Sequence, residues 1–413
     1  MVKSKAKKLK IAIFHLAFVY SGGGERLVLE EAIGLEKLGY DVTCFSPVVD
    51  RKGCFPELLS RVKVKRILPK ILPSWYPDVE LVSILMACLL VPLLFFKFRN
   101  YDFYFGANQP GPWMAFILSK INRIPYGIYL AQPTRMVHPR LIDQKTGLKI
   151  NDGFSLINFY SLIFKPIIKY LDSKSIQSAR TIFANGSYAK GLLEEVYNIE
   201  TINCPAGARI KEKISNEKIM KRFTGSIGID KKTIKKPYVL ITNRHFPQKK
   251  FEFAIEALSS MGKNCPNLVI AGKDTDYTKW LKKHYKKNKI YFTGLLSESD
   301  LDRAYRNAAV YVYPAPEEDF GMGIIEAMAY GVPVVAWGNA GPTGIIKHQE
   351  DGLLAKPFSV KDFSNNIMLL LNNRRLYKRI SKNAYGKVIS QFTYEIHNSL
   401  LHRHIKRVLN KRN

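Results

Sequence analysis

The stretch Pro314–Val335, "PAPEEDFGMGIIEAMAYGVPVV", decides the fold. The run "VYVYPA", which leads into it, predicts a buried strand, and "GIIEAMAYG" predicts a helix directly after a glycine-bracketed turn. Glu318 lies in the turn, and Glu326 is expected in the first turn of the helix. A strand that ends in a polar turn and leads into a helix is the building unit of parallel α/β sheets.

The same alternation continues along the whole chain, and it predicts an α/β protein of two Rossmann-like domains that face each other across a cleft. The predicted strands are "LKIAIFHLA", "YDVTCFSP", "DFYFGAN", "PYGIYLAQ" and "TIFANG" in the first half, and "PYVLITN", "NLVIAGK", "KIYFTGLL", "AVYVYPA" and "VPVVAWG" in the second. Segment 207–236 is polar and lysine-rich, so we expect a linker there, between a domain at 1–206 and a domain at 237–392. The terminal helix, 393–413, has no sheet of its own and is expected to pack back onto the first domain.

The composition is that of a folded protein with an unusually strong positive charge. The chain has 413 residues and a formal net charge of +30, which favours anionic partners, although a solvated lysine-rich surface would also explain it. It contains no helix-turn-helix, zinc-finger spacing or RNP-type motif, so nucleic acid is not expected as a partner. Five cysteines without a CxxC pair indicate a reducing compartment, and the N-terminus is expected to be a basic arm and a strand, not a signal peptide. We therefore expect the protein in the cytoplasm.

One apolar segment, Leu81–Phe98, suggests contact with a membrane. It is shorter than the ~20 residues that cross a bilayer, and Pro92 interrupts it. A buried helix of an α/β domain is the simplest alternative, but such a helix seldom lacks a polar stripe entirely. We therefore expect peripheral association with an anionic membrane surface, with the helix in the head-group layer and Lys97 and Arg99 at the interface.

The turn and helix of the opening stretch predict an anion site. The unpaired N–H groups at the helix start are expected to be those of Met322, Gly323 and Ile324. Together with the helix dipole they suit a diphosphate, and Gly321 and Gly323 would let it approach the backbone. Glu326 is then placed to accept hydrogen bonds from ribose hydroxyls, and Glu318 from a sugar. The alternative is that Glu326 only favours the helix dipole and that Glu318 is a loop charge.

Two further loops carry charged or glycine-rich patterns. In "ITNRHFPQKK", Arg244 and Lys249 follow a predicted strand, where they could neutralise a departing diphosphate or form a solvated basic turn. In "SGGGERLVLE", Gly22, Gly23, Gly24 and Glu25 stand between a strand and a helix, as an anion cradle or as a tight turn in which Glu25 serves the dipole.

No metal or other cofactor is expected. Asp274 and Asp276 of "KDTD" have the spacing of a metal-binding DxD motif, but they follow a predicted strand of a Rossmann-like half, where a turn and a helix cap fit better. His402 and His404 of "HRH" are two residues apart, so on a helix they would point away from each other.

These motifs together resemble the retaining GT-B glycosyltransferases of family 4, from about residue 10 to about residue 400. "EEDFGMGIIEAMAYGVPVV" is similar to the family's E-x7-E signature, "NRHFPQKK" to its Arg/Lys motif and "SGGGERLVLE" to its N-terminal glycine loop. Within the family, "GCFPE", "INFYSLIFKPI" and "ANGSYAK" resemble the mannosyltransferases that extend lipid-linked oligosaccharides for N-glycosylation. Those enzymes use GDP-mannose and act at the cytoplasmic face of a membrane.

The resemblance implies a role for each matched residue. Arg244 and Lys249 would hold the donor diphosphate, and Glu318 would face the sugar, which makes these three the catalytic set. The implied donor-binding set is Thr293, Gly294, Phe320, Gly321, Met322, Gly323, Ile324 and Glu326, of which Thr293 and Gly294 contact the base and Glu326 the ribose. The loop of Gly22, Gly23, Gly24 and Glu25 would lie near the diphosphate and the acceptor.

Two positions depart from the family pattern. Gly344 stands where the family usually has a glutamate, and Gln132 stands where many members have a histidine, unless His138 takes that place. The resemblance implies a hexosyltransferase that moves mannose from GDP-mannose onto a polyprenyl- or dolichyl-linked saccharide. The alternatives are a UDP-sugar transferase for capsule or surface polysaccharide, a nucleotide-sugar epimerase of similar architecture, and a scaffold without catalysis. The sequence leaves the base, sugar, linkage and acceptor open.

Overall fold

The structure is a computed structural model that describes residues 8–69, 79–135, 137–138, 156–230, 232–285 and 289–411. Within these residues the chain forms two compact units. Unit 1 comprises the described residues of 8–138, 156–206 and 394–411, and unit 2 comprises those of 207–393. The main sheet of each unit is parallel throughout, which confirms the predicted α/β class.

Unit 1 is built on a seven-stranded sheet. Its strands are β1 (Lys10–His15), β2 (Asp41–Ser46), β3 (Val64–Arg66), β4 (Phe103–Ala107), β5 (Tyr126–Leu130), β6 (Thr181–Ala184) and β7 (Ile202–Asn203). They lie in the order β3-β2-β1-β4-β5-β6-β7. All five strands predicted here are present, but the sequence pattern does not reveal β3 and β7, because edge strands of three and two residues are too short to show periodicity.

Helices surround this sheet, and the terminal helix belongs to the same unit. They are α1 (Gly23–Lys37), α2 (Pro56–Leu59), α3 (Val79–Leu90), a 3-10 helix (Val91–Lys97), α4 (Gly111–Asn122), α5 (Leu156–Gln177), α6 (Gly186–Tyr197) and the C-terminal helix (Tyr394–Asn410). The C-terminal helix packs on α1. A Cβ on Gly34 would lie 2.1 Å from Nδ2 of Asn398, so the glycine in the middle of α1 lets the two helices approach closely.

Unit 2 is built on a six-stranded parallel sheet and a separate antiparallel pair. Its strands are β8 (Ser226–Ile229), β9 (Lys232–Lys235), β10 (Tyr238–Thr242), β11 (Asn267–Ala271), β12 (Ile290–Gly294), β13 (Val310–Tyr313), β14 (Val334–Trp337) and β15 (Leu353–Ala355). The parallel sheet has the order β12-β11-β10-β13-β14-β15, and β8 pairs with β9. All five predicted strands are present in the parallel sheet, whereas the pattern does not reveal the short edge strand β15 or the pair β8 and β9.

The helices of unit 2 cover its parallel sheet. They are α7 (Asn216–Met220), a 3-10 helix (Pro247–Lys249), α8 (Phe251–Ser259), a 3-10 helix (Gly262–Asn264), α9 (Asp276–His284), α10 (Glu298–Asn307), α11 (Met322–Ala329), α12 (Gly341–Ile345), α13 (Val360–Asn372) and α14 (Arg374–Gln391). Aromatic and aliphatic side chains of α8, α13 and α14 form one core with the central strands, in which Trp337 and Tyr377 are fully buried.

Segment 207–236 is part of folded unit 2 and not a separate linker, which corrects the prediction. It forms α7 and the pair β8–β9, and its buried residues include Ile219, Arg222, Phe223, Ile229 and Ile234. The Arg222 guanidinium donates hydrogen bonds to the carbonyls of Arg306, Tyr330 and Gly331. The many lysines make the segment polar on average, whereas a few apolar side chains and one arginine decide how it packs.

The apolar segment Leu81–Phe98 forms α3 and the 3-10 helix that follows it. One face is buried through Ala87, Val91 and Phe98. The opposite face exposes Leu85, Leu89, Leu93 and Phe96, with exposed fractions of 51%, 76%, 68% and 51%. These four residues are called the apolar stripe below. Among the described residues, every helix is too short or too polar to cross a membrane.

Candidate active site

The centre of the unit 2 sheet is the point where its strand order reverses. β10 and β13 are neighbours there, while β11 and β12 follow on one side and β14 and β15 on the other. In parallel α/β sheets, ligands bind beyond the carboxyl ends of the strands at such a switch point. The structure places Arg244 and Lys249 after β10 and Glu318 after β13, which brings these predicted residues to adjacent strand ends.

Lys249 and Glu318 form an ion pair, with 2.6 Å between Nζ and Oε2. Their side chains are 23% and 19% exposed, so both can be reached by a ligand. Lys249 has three N–H donors, and Glu318 engages one of them. Arg244 is exposed, and its guanidinium lies 5.8 Å from the Phe246 ring. The arrangement can therefore offer two cations to an anionic ligand next to a carboxylate.

The first residue of α12 holds the loop that carries Glu318 through a backbone hydrogen bond. The N–H of Gly341 donates to the Glu318 carbonyl at 2.7 Å. A Cβ on Gly341 would lie 2.5 Å from the Asp319 backbone, so only glycine allows this contact. Phe320, in the same loop, is buried with its ring 6.2 Å from that of Phe392 and therefore presents only its backbone to a ligand.

The start of α11 differs in two details from the prediction. Gly321 has a φ of +95° and precedes the helix, which begins at Met322, so Glu326 lies in the second turn and not in the first. A carboxylate there is less suited to the helix dipole, which weakens that alternative. The Ile324 N–H donates to the Gly321 carbonyl at 2.9 Å. Of the three predicted anion-binding amides, those of Met322 and Gly323 remain for the proposed site.

Gly323 makes room for a tyrosine of the neighbouring strand. A Cβ at this position would lie 2.1 Å from the Tyr311 hydroxyl, so packing by itself already requires a glycine here, and the predicted approach of a ligand to its backbone stays a prediction. Tyr311 belongs to a hydrogen-bonded network at the end of β10. The Tyr305 hydroxyl donates to Oε2 of Glu326 at 2.9 Å and lies 2.5 Å from Oγ1 of Thr242, while the Tyr311 hydroxyl donates to the Thr242 carbonyl at 3.1 Å.

These phenols keep their protons. Burial, reinforced by the nearby Glu326 carboxylate, raises the pKa of Tyr305 well above its ordinary value, and burial also raises the pKa of Tyr311. Burial and the charge of Glu318 do the same to the pKa of Tyr313. Each hydroxyl can therefore donate a hydrogen bond at any physiological pH. The sequence pattern identifies "VYVYPA" only as a buried strand, and the alternation of tyrosines on one face is the signal that could have indicated a network.

Thr293 and Gly294 lie at the end of β12, at the edge of the sheet. Thr293 is buried, and Gly294 has a φ of +69°. The Gly294 carbonyl accepts a hydrogen bond of 2.9 Å from the N–H of Gly272, and a Cβ on Gly272 would lie 1.9 Å from the Asn243 carbonyl. Gly272 thus draws the ends of three strands together, although it belongs to no sequence motif.

The "KDTD" segment contains the predicted helix cap. Thr275 caps α9 with a capping box, and Asp274 pairs with Lys282 at 2.9 Å. Nearby, burial lowers the pKa of His245 to about 4, so this side chain is neutral. Across the described ranges, no three His, Cys, Asp or Glu residues are grouped so that they could hold a metal ion.

The glycine loop of unit 1 leads from β1 into α1, as the pattern predicts. Glu25 is buried, and a Cβ on Gly22 would lie 2.4 Å from its Oε2 atom. The carboxylate therefore folds back against the loop at the start of the helix. This geometry favours the interpretation in which Glu25 serves the N-terminus of α1.

A buried aspartate organises the strand ends of unit 1. Asp172 is fully buried and accepts hydrogen bonds from four neutral donors, namely Gln109 Nε2 at 2.7 Å, Trp113 Nε1 at 3.2 Å, Thr134 Oγ1 at 2.7 Å and Tyr197 Oη at 2.7 Å. Gln109 follows β4 and Thr134 follows β5, so the carboxylate ties two neighbouring loops together. Because its donors are far apart in the chain, no local motif predicts this cluster.

Just after β5, Gln132 stands where many family members have a histidine, and His138 follows six residues later. Gln132 accepts a hydrogen bond of 2.8 Å from Nε of Arg135. The His138 ring packs edge-on against Tyr197 with 5.3 Å between ring centres, and burial lowers its pKa.

Part of the chain matches a known protein family. Residues 228–387 match the family described as "Glycosyl transferases group 1". This segment contains the strand ends that carry Arg244, Lys249 and Glu318, and it includes Glu326.

Three relatives match most of the chain, and their names specify different reactions. The chain is 23% identical to Alpha-1,3/1,6-mannosyltransferase ALG2 of Dictyostelium discoideum, over 96% of this chain and 97% of that protein. It is 27% identical to Mannosylfructose-phosphate synthase of Agrobacterium fabrum, over 91% of this chain and 84% of the relative. It is 26% identical to N,N'-diacetylbacillosaminyl-diphospho-undecaprenol alpha-1,3-N-acetylgalactosaminyltransferase of Campylobacter jejuni, over 70% of this chain and 72% of the relative.

A solved structure shares the fold. The Anabaena protein HepE, in complex with UDP and glucose, superposes with a TM-score of 0.71 at 18% identity, and the match covers 96% of this chain and 99% of that one. This identity is low, so the likeness supports the architecture alone.

Proposed function

Because the chain is a GT-B glycosyltransferase of group 1, we propose that it is a retaining mannosyltransferase that uses GDP-mannose and a lipid-linked saccharide at the cytoplasmic face of a membrane. The observation that carries this proposal is the Lys249–Glu318 pair at the switch point of unit 2. Glu318 lies in the loop after β13, and the helix that follows this loop, α11, contains Glu326. A nucleotide sugar requires cations and backbone amides for its diphosphate and carboxylates for its hydroxyls, and the elements that carry such groups follow the adjacent strands β10 and β13.

In the proposed mechanism, the positive groups act on the leaving diphosphate. Arg244 and the free donors of Lys249 stabilise the negative charge that develops as the bond to the sugar breaks, together with the amides of Met322 and Gly323. Glu318, held by Lys249, faces the sugar hydroxyls. Glu326 accepts hydrogen bonds from the ribose. The departing phosphate oxygen takes the acceptor proton on the face that it leaves, which retains the configuration and requires no bound metal.

Mannose is supported by the names of the relatives. Of the three relatives, the two that match more than 90% of this chain are named for mannosyl transfer or for a mannosyl product. GDP-mannose is the donor that the sequence resemblance implies. A UDP-sugar transferase is the second candidate, because HepE was solved with UDP and glucose.

A lipid-linked acceptor is supported by the apolar stripe and by the Campylobacter relative, whose name specifies a diphospho-undecaprenol substrate. Burial of one leucine side chain in a lipid layer contributes about 1.5–3 kcal/mol. Lys97 and Arg99 follow the stripe in the chain, and cations beside an apolar helix face are attracted to anionic head groups. We therefore propose that the stripe binds the membrane surface where such an acceptor lies.

The donor is tested by thermal unfolding with GDP, UDP and ADP, followed by transfer assays with the sugar form of the nucleotide that binds. A ligand at 100 times its dissociation constant should add about 2.7 kcal/mol to the free energy of unfolding. We expect stabilisation by GDP and transfer from GDP-mannose in excess EDTA, with an α-linked product in the NMR coupling pattern. Stabilisation by UDP alone would favour the second candidate. Loss of activity on chelation would contradict the metal-independent mechanism, and a β-linked product would contradict retention.

The membrane contact is tested by flotation with anionic and neutral liposomes at low and high salt. We expect the wild-type protein to float with anionic liposomes, and Leu89→Ser/Leu93→Ser to reduce the floating fraction. Ile389→Ser on α14 is the matched control, because it removes an exposed apolar side chain from unit 2. If the double variant floats as well as the wild type, the stripe is not the binding surface.

A further inference from the structure

We propose that Tyr305 is a positioning residue for the donor, because its hydroxyl fixes the Glu326 carboxylate in the orientation that receives the ribose. This inference rests on the proposed function. Neither the sequence motifs nor the names of the relatives assign a role to Tyr305. It lies on α10, whereas Glu326 lies on α11.

The hydrogen bonds around Tyr305 define the direction of its proton. Its hydroxyl has a single proton, which is donated to Oε2 of Glu326 at 2.9 Å, since a carboxylate can only accept. Thr242 Oγ1, 2.5 Å from the same hydroxyl, must then donate to the Tyr305 oxygen. The result is a relay from Thr242 through Tyr305 to Glu326, in which each bond polarises the next.

The ring of Tyr305 is held as firmly as its hydroxyl. Tyr305 is 2% exposed, and its ring stacks on that of Tyr330 with 5.5 Å between centres and 5° between planes. The Tyr330 hydroxyl is used elsewhere, because it donates to Oδ1 of Asp302 at 2.5 Å. Tyr330 therefore supports the ring of Tyr305 without touching Glu326 through its hydroxyl.

Two consequences follow for the donor. One oxygen of Glu326 is fixed before a ligand arrives, so less side-chain freedom is lost when the other oxygen accepts from a ribose hydroxyl. In addition, Thr242 stands two residues before Arg244, so the relay links the carboxylate for the ribose to the loop for the diphosphate. Tyr305 should thus affect how well the donor binds and should leave the reacting bond untouched.

The experiment compares Tyr305→Phe with Tyr330→Phe. The second variant is the control, because it removes the hydroxyl of the neighbouring tyrosine and keeps the two aromatic rings stacked. Calorimetry measures binding of GDP, UDP and the corresponding 2′,3′-dideoxy nucleotides, and kinetics gives KM and kcat for the sugar donor. For Tyr305→Phe we expect ~10-fold weaker binding of the nucleotide and ~10-fold higher KM, with kcat within about threefold, as for loss of one hydrogen bond to a charged group. Tyr330→Phe should stay within about twofold of the wild type in both.

Two controls distinguish a positioning role of Tyr305 from a general structural effect. They are the dideoxy nucleotides, which lack the ribose hydroxyls, and the Tyr305→Phe substitution made in the Glu326→Gln variant. If Tyr305 acts through Glu326, its replacement should not weaken binding of the dideoxy form, and it should have no further effect in Glu326→Gln. Equal weakening of both nucleotides, or an additive loss in Glu326→Gln, would overturn the inference while the proposed function stands. If the wild type binds neither GDP nor UDP, the proposed function fails, and the inference fails with it.

Discussion

Two glutamate–cation pairs in this protein have similar chemistry and opposite surroundings. Lys249 and Glu318 are 2.6 Å apart, with side chains 23% and 19% exposed, on loops at the carboxyl ends of strands. His397 and Glu31 are 3.2 Å apart and fully buried, and they join the C-terminal helix to α1. The first pair can exchange part of its hydrogen bonding for a ligand, whereas the second pair can only serve the protein itself.

The buried pair depends on further neighbours. Nδ1 of His397 lies 3.4 Å from Sγ of Cys204 and 2.9 Å from the Pro205 carbonyl. Burial raises the pKa of Glu31. Burial alone would lower the pKa of His397, but its contacts with Cys204 and Glu31 outweigh this and raise that pKa well above its ordinary value. The surroundings of a charge pair therefore decide whether a ligand can reach it or whether it can only stabilise the fold.

The largest effect is expected from His397→Ala. Removal of one partner leaves Glu31 as an uncompensated buried charge, which should lower the free energy of unfolding by about 3–5 kcal/mol. Chemical denaturation measures this loss, and the folded fraction should keep its specific activity. His402→Ala, on the same helix but only partly buried, is the control and should cost less than about 1.5 kcal/mol. A loss for His397→Ala no larger than that of the control would remove the contrast between the two pairs.

The exposed pair should show the reverse pattern. Lys249→Ala and Arg244→Ala are expected to lower kcat at least ~100-fold, because a cation that stabilises the leaving diphosphate is lost. Their thermal stability should hardly change, since partly exposed ion pairs contribute about 0–1 kcal/mol. Lys250→Ala, next in the chain and 3.5 Å from Glu252, is the matched control and should retain activity. Near-normal turnover in Lys249→Ala or Arg244→Ala would show that the residue has no catalytic role.

Glu326 is a third carboxylate that can be compared with Glu318 and Glu31. It accepts a hydrogen bond from the neutral hydroxyl of Tyr305. Glu326→Ala is expected to raise the donor KM by ~10-fold or more and to change kcat far less, because ribose contacts act in the ground state and the transition state alike. Steady-state kinetics measures both values. Glu350→Ala, an exposed glutamate just before β15, serves as the control. An unchanged KM with a much lower kcat would assign Glu326 to the chemical step instead.

The smallest effect concerns pH. Because the pKa of His397 is raised in the folded state, its stabilisation is fully present below about pH 6.5, the value in the unfolded chain, and is lost as pH rises through the folded pKa. The raised pKa of Glu31 acts in the same direction, since the folded state again binds the proton more tightly. The free energy of unfolding should fall above pH 6.5 by at most about 1.4 kcal/mol per pH unit for one proton. In the double variant Glu31→Gln/His397→Gln, the free energy of unfolding should fall less steeply with pH. An unchanged pH dependence would show that other residues cause it.

Much of the fold and part of the site follow from the sequence. Ten of the strands are long enough for their apolar runs to be recognised, and the turns between strands and helices place Arg244, Lys249 and Glu318 at strand ends. The family could be recognised because its motifs are local, each contained in one loop and the start of the following helix. The prediction for Glu326 is one helical turn too early. A pattern of side chains does not show at which residue a helix begins, and here it begins at Met322, directly after Gly321.

Only the tertiary structure decided which side chains meet. Tyr305 and Glu326 are 21 residues apart, Thr134 and Asp172 are 38 apart, and Glu31 and His397 are 366 apart. Likewise, the sequence shows Gly323 at a helix start and Gly34 inside a helix, and only the structure shows that the Tyr311 hydroxyl and the Asn398 side chain pack against them. Periodicity reports that a position is buried, because burial repeats with the geometry of a helix or strand. It does not report the partner, because the order of strands in the sheet and the packing of helices on it determine which distant residues come into contact.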